Sequence, residues 1–244
     1  MTDDAPKGYD DVWSLAKSAV VQVGAGRGFI VGAGDHRYVV TAAHCLPRSR
    51  FPRPHLANSV PELTFPKIIG PLASKQRTIW GELCVISLTD DVAVFSEPDG
   101  QVLCDQCAEF EEFAKASIPI GNPPEAIEPH LRESHPGAAA FMLSLDGEWQ
   151  SCTVHNGGRF LVISDGAGFI RSGMSGEPII DANGGAIGLM STSGSGGVNT
   201  HPSLTDCLPP WLLRKLDIRS IRVGGSNVRR RAKSPLGSNK KQSL

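Results

Sequence analysis

Val39-Val40-Thr41-Ala42-Ala43-His44-Cys45 carries an apolar, strand-like run straight into a histidine. Taken alone, a histidine at the end of such a run is most often structural. Two later stretches change that reading. Asp91-Val92-Ala93-Val94-Phe95 begins a second apolar run with a carboxylate, and Ser172-Gly173-Met174-Ser175-Gly176-Glu177-Pro178 sets a serine between glycines. A histidine, a carboxylate and a glycine-flanked serine are the parts of a nucleophilic hydrolase. Serine is a poor nucleophile at neutral pH and needs a base, and the base needs a group to orient it.

In this order, each about one barrel's length from the next, the three stretches resemble the trypsin-like, chymotrypsin-fold serine peptidases, in particular the bacterial disulfide-poor type. Gly26-Arg27-Gly28-Phe29-Ile30-Val31, followed by Tyr38-Val39-Val40-Thr41, is similar to the hairpin that precedes the histidine in that family. Pro202-Ser203-Leu204-Thr205-Asp206-Cys207-Leu208-Pro209-Pro210-Trp211-Leu212-Leu213 resembles a closing segment of some bacterial members. The resemblance spans about residues 19 to 216. It implies an all-β fold of two six-stranded antiparallel barrels packed together, with the active site in the cleft between them and a short C-terminal helix.

Composition is consistent with that expectation. The 244 residues include 27 Gly and 18 Pro but few aromatics, which suits many short strands joined by turns. The chain is long enough to bury a substantial core. Net charge is −1, so nothing biases the whole protein towards nucleic acid. The charge is unevenly spread, however: from Arg219 onward there are many Arg and Lys and no acidic residue. The N-terminal Met1-Thr2-Asp3-Asp4-Ala5-Pro6 lacks the basic start and apolar stretch of a secretory signal, and no run is long enough to span a bilayer. The expected compartment is the cytoplasm.

Strand-like runs fall at 19–23, 28–31, 37–41, 63–69, 78–88 and 92–95, enough for one six-stranded barrel. Five more follow at 138–145, 149–155, 160–164, 178–181 and 186–190, with a hairpin signal at Asn183-Gly184-Gly185. Asp10 to Ala19 has the spacing of a short helix, and 102–116 reads as a partly helical crossover. Residues 1–115 therefore form an N-terminal segment and first barrel carrying His44 and Asp91. Residues 116–218 form the second barrel and terminal helix carrying Ser175, and 219–244 a basic disordered tail.

The resemblance assigns roles residue by residue. Ser175 is the nucleophile, His44 the general base and then acid, and Asp91 the group that holds the imidazole in its useful tautomer. Asp90 competes with Asp91, but Asp91 directly begins the Val-Ala-Val run, as the family pattern requires. The N–H groups of Gly173 and Ser175 form the oxyanion hole. Substrate contacts map onto Phe169 at the pocket floor, Arg171 nearby, and Ser191, Thr192 and Ser193 along the pocket wall. No Asp occupies the floor position, so a small or apolar residue before the cleaved bond is expected, although Arg171 could attract an acidic side chain.

Three departures from the family pattern matter. Met174 stands where digestive members have an Asp that pairs with a freshly cut N-terminus, so activation by cleavage is not expected. Glu177 stands where Gly is usual, and its expected place is solvent. Cys45 lacks the upstream Cys that pairs with it in secreted members, so the six cysteines read as free thiols in a reducing compartment. The expected activity is hydrolysis of a protein or peptide substrate without cofactor or metal. Cys104-x2-Cys107 with His130-x4-His135 has zinc-type residues, but the gap between the pairs is too long for an ordinary finger. The alternative to an enzyme is a non-catalytic binding module on a protease fold, its basic tail recruiting an acidic partner.

Overall fold

The apolar runs of the first half form six antiparallel strands: β1 (Val20–Val23), β2 (Gly26–Ala33), β3 (His36–Ala42), β4 (Leu63–Pro71), β5 (Ile79–Ser87) and β6 (Val92–Ser96). The computed structural model describes residues 9–33, 35–47, 63–74, 76–88, 91–121, 137–156, 161–165 and 167–191. The strands close into a barrel in the order β1-β2-β3-β6-β5-β4. Closure leaves no unpaired edge. The register shifts between Phe65 and Ile69 where β4 pairs β5, and Lys67 there has a φ of +50°. Such an irregularity bends a strand and increases its twist.

The barrel core is aromatic at its centre. Phe65 and Phe95 meet edge to face with ring centroids 5.5 Å apart, and Phe29, Ile30, Ile69, Leu83 and Ile86 are buried with them. Fully burying one such side chain contributes about 1.5–3 kcal/mol. Helix α1 (Tyr9–Ser18) precedes β1, and α2 (Cys104–Lys115) follows β6. Helix α2 packs across β5 and β3, burying Phe110 and Ala114. The expected crossover is thus a regular helix.

The second half contributes β7 (Ala138–Leu143), β8 (Trp149–Asn156), β9 (Leu161–Asp165), β10 (Pro178–Ile180) and β11 (Ala186–Leu189). Here the expectation of a second six-stranded barrel is met only in part. Among the described residues these strands form a five-stranded sheet in the order β11-β10-β7-β8-β9. Strands β11 and β9 are its two edges and do not pair with each other, so no ring of hydrogen bonds closes. Residues 192–218, with the expected terminal helix, lie outside the described residues, as does the basic tail.

The sheet has its own core of Ala140, Met142, Val154, Ile163, Met174, Ile179, Ile187 and Met190. Its other apolar positions, Ile180, Ala186 and Leu189, join the barrel core. Helix α1 straps the two layers together. Trp13 packs on Phe141 of β7 at 4.5 Å between centroids, and the Trp149 indole N–H donates to Trp13 O at 3.0 Å. Among the described residues no helix is long and apolar enough to cross a membrane.

Candidate active site

Strands β3 and β6 are neighbours, with Ala42 opposite Val92. His44 lies two residues past Ala42, and Asp91 one residue before Val92. The register of two barrel strands therefore brings this base and acid together. A short 3-10 turn over Ala43–Cys45 presents the imidazole. His44 Nδ1 lies 2.7 Å from Asp91 Oδ2, and the His44 main-chain N–H donates to Asp91 Oδ1 at 2.9 Å. The Ala43 N–H donates to Asp91 O at 3.1 Å. Asp91 has a φ of +53°, a left-handed conformation that Asp tolerates better than most residues and that concentrates at functional sites. Asp90, the competitor, lies outside the described residues.

The electrostatics follow from these contacts. The hydrogen bond to Asp91, and after it one to Cys45, outweigh burial and raise the His44 pKa to about 10. For Asp91, burial works upward, but the hydrogen bonds from His44 and Ser191 outweigh it and hold the carboxyl below its ordinary value. With Nδ1 committed to an ionised carboxylate, which can only accept, Nε2 is left to exchange protons with a reacting group.

Ser175 sits in the short segment that leads into β10. Gly173 and Gly176 have φ of +99° and +85°, which side chains rarely adopt. The Met174 N–H donates to Arg171 O at 3.2 Å, and the Gly176 N–H to Met190 O at 2.6 Å. Met174 is fully buried in the core of the second sheet. An apolar anchor thus occupies the position where a carboxylate was absent from the sequence. Ser175 O accepts from the Arg27 N–H at 2.7 Å and from Cys45 Sγ at 3.5 Å, which places the nucleophile candidate's main chain against the neighbour of His44. Gly26 makes this approach possible. A Cβ there would collide with Ser175 O and lie 2.7 Å from Cys45 Sγ. Among the described cysteines, Cys45, Cys104, Cys107 and Cys152 are free thiols. The His130 and His135 pair lies outside the described residues, and no cluster of metal-ligating side chains occurs among the described ones.

Glu177 does not face solvent as expected. It is 0% exposed and paired with Arg27 at 2.6 Å. Arg27 comes from β2, 150 positions earlier, and also donates to Leu143 O at 2.6 Å and Ser144 O at 3.1 Å. Burial pushes the Glu177 carboxyl upward, and the Arg27 guanidinium beside it works the other way. The signal in the sequence was a pair of charges in unlikely company, an Arg between two glycines and a Glu after Ser-Gly.

The expected substrate residues are placed less uniformly. Phe169 is 48% exposed at the end of a 3-10 turn. Arg171 is exposed, but its Nη1 bonds back to Gly168 O and Ile170 O. Ser191 turns its hydroxyl onto Asp91 Oδ2, a contact the sequence reading missed. Thr192 and Ser193 lie outside the described residues. A cavity of about 910 Å³ has Gly173 in its lining and lies between the β1–β2 hairpin, the 145–147 turn and the end of α2. Gly26, Arg27, Leu145 and Phe113 line it, whereas Phe169, Arg171 and Ser191 do not.

No protein-family model matches the chain, and no curated protein matches it. Among solved structures it is similar to a serine endoprotease from Yersinia pestis, at 16% identity and a TM-score of 0.45 over 91% of this chain and 69% of that one. It is also similar to the Rv3671c protease from M. tuberculosis. The active form gives 15% identity and a TM-score of 0.45 over 96% of this chain and 90% of that one. The inactive form gives 15% and 0.43 over 84% and 92%.

Proposed function

We propose that this chain is a serine-type endopeptidase that hydrolyses peptide bonds through an acyl-enzyme. One observation carries the reading: His44 and Asp91 are hydrogen-bonded at 2.7 Å, and the main chain of Ser175 is held against Cys45, the residue next to His44. In this reading Ser175 Oγ attacks the substrate carbonyl while His44 Nε2 takes its proton. Asp91 stabilises the imidazolium that forms. The N–H groups of Gly173 and Ser175 receive the oxyanion, each worth about 2.7–4 kcal/mol in the transition state. His44 then protonates the departing amine, and water releases the acyl group by the reverse sequence.

The acyl-side pocket is assigned to Phe169, Arg171 and the chain at Ser191–Ser193, with a preference for a small or apolar residue. The proposed chemistry needs no cofactor.

A fluorophosphonate probe tests the proposal. Stoichiometric labelling of Ser175, lost in Ser175→Ala, supports the enzyme. A folded wild-type protein that takes no label favours the binding-module reading instead.

A further inference from the structure

Arg27 touches the nucleophile segment on both sides of Gly176. Its main-chain N–H donates to Ser175 O at 2.7 Å, and its Nη1 donates to Glu177 Oε2 at 2.6 Å. The same guanidinium donates to Leu143 O and Ser144 O at the end of β7. One residue of the barrel thus fastens the serine segment to the second sheet. Between its two grips, Gly176 has no space to spare: a Cβ would lie 2.6 Å from Thr41 Oγ1 and 2.9 Å from Ala42 N. We propose that Arg27 and Glu177 are positioning residues, a buried pair that sets where Ser175 stands relative to His44. The inference rests on the reading of Ser175 as nucleophile.

Stability alone is a poor account of this pair. Arg27 is 5% exposed and Glu177 0%, and removing two charges from water is costly enough that an apolar pair of similar volume often serves a fold as well or better. Glu177 Oε1 is buried without a hydrogen-bond partner among the described residues. The pair does supply direction, which an apolar pair would lack. The planar guanidinium holds one carboxylate and two carbonyls in a fixed fork. The segment it holds runs Gly173-Met174-Ser175-Gly176 and has only one bulky side chain, Met174, to locate it by packing.

Two variants separate positioning from stability. Arg27→Met/Glu177→Leu removes both charges and keeps the volume, and Arg27→Lys keeps the charge but loses the fork. Melting temperature is measured alongside saturation kinetics of fluorophosphonate labelling at Ser175, which resolve probe binding from the covalent step. The double variant should melt near or above wild type, bind the probe within about two-fold of wild type, and react roughly ten-fold or more slowly, since a misplacement of about 1 Å can cost 10²-fold. Arg27→Lys should also react more slowly with binding unchanged. A folded double variant that reacts at the wild-type rate overturns this inference alone. Should the double variant not fold, a wild-type rate in Arg27→Lys overturns it. An unlabelled wild type overturns the nucleophile reading and this inference together.

Discussion

The barrel and the five-stranded sheet hold their parts of the site by different means. In the barrel, His44 and Asp91 meet because β3 and β6 pair in one register within a closed ring, and main-chain hydrogen bonds fix that register. In the sheet, Ser175 leads into β10, a strand of three residues, and is located by a few side chains. Met174 anchors it in one core, and Arg27 reaches it from the barrel. His44 and Asp91 are therefore built into one closed element. The place of Ser175 depends on how two layers fit together.

The largest effects should come from the three proposed catalytic groups, which span both layers. Ser175→Ala and His44→Ala should each lower hydrolysis of a peptide substrate by about 10⁴-fold or more, and Asp91→Asn by about 10⁴-fold. Circular dichroism should be unchanged. Because the three act as one unit, a triple variant should lose little more than the worst single one. Full activity in Asp91→Asn, with Asp90→Asn inactive, would move the acid to the neighbouring residue.

Next come the glycines where the layers touch. Gly26→Ala drives a methyl into Ser175 O, and Gly176→Ala drives one into Arg27 O at a left-handed φ of +85°. Neither obstacle is the end of a flexible side chain, so the serine segment must move. A loss of about 10²-fold in labelling rate is expected for each. Gly168→Ala, where nothing among the described residues lies within 4 Å, is the control and should label normally. Normal labelling in all three would mean that the nucleophile tolerates displacement and that the contrast between the layers is wrong.

These effects mark the limits of what the chain made legible. The apolar runs of the first half coincide with β1–β6 to within a few residues, because each alternates or fills a buried strand. The His44–Asp91 meeting was also readable, since both residues flank runs that pair. Arg27 with Glu177, and Ser191 with Asp91, were not. Each joins positions 100 or more apart through side chains alone, and no periodicity encodes such a contact. Closure of the second barrel was expected from resemblance, whereas the sequence itself offered only five strand-like runs there.

Acidity distinguishes the barrel's half of the site at smaller scale. Asp91 first, and Cys45 after it, raise the His44 pKa above its ordinary value, so the neutral imidazole that the proposed base requires grows more abundant as pH rises past neutral. Labelling of Ser175 should climb from neutral pH upward, with a midpoint well above the ordinary 6.5. For stability the sign is opposite. The raised His44 pKa contributes fully below 6.5, and that contribution is lost as pH rises through about 10. An NMR titration of His44 should show the high midpoint in wild type and a lower one in Asp91→Asn. A wild-type midpoint at or below 6.5 would mean that the carboxylate does not hold the imidazolium.

The smallest effect belongs to Ser191, the one described residue of the second half whose side chain reaches the barrel's acid. Its hydroxyl donates to Asp91 Oδ2, the same oxygen that faces His44 Nδ1. Ser191→Ala removes one of several hydrogen bonds on that carboxylate and leaves both contacts with His44 in place. One such bond to a charged group contributes about 1.5–3 kcal/mol, and only the part that differs in the transition state lowers the rate, roughly ten-fold. The change should also raise the Asp91 pKa, since the Ser191 hydrogen bond is one of the contacts that lower it. Ser191→Thr keeps the hydroxyl and should recover most of the rate. A loss in Ser191→Ala as large as that in Asp91→Asn would show that the sheet, as well as the barrel, sets the acid, and that the two layers share the work more evenly than their hydrogen bonds indicate.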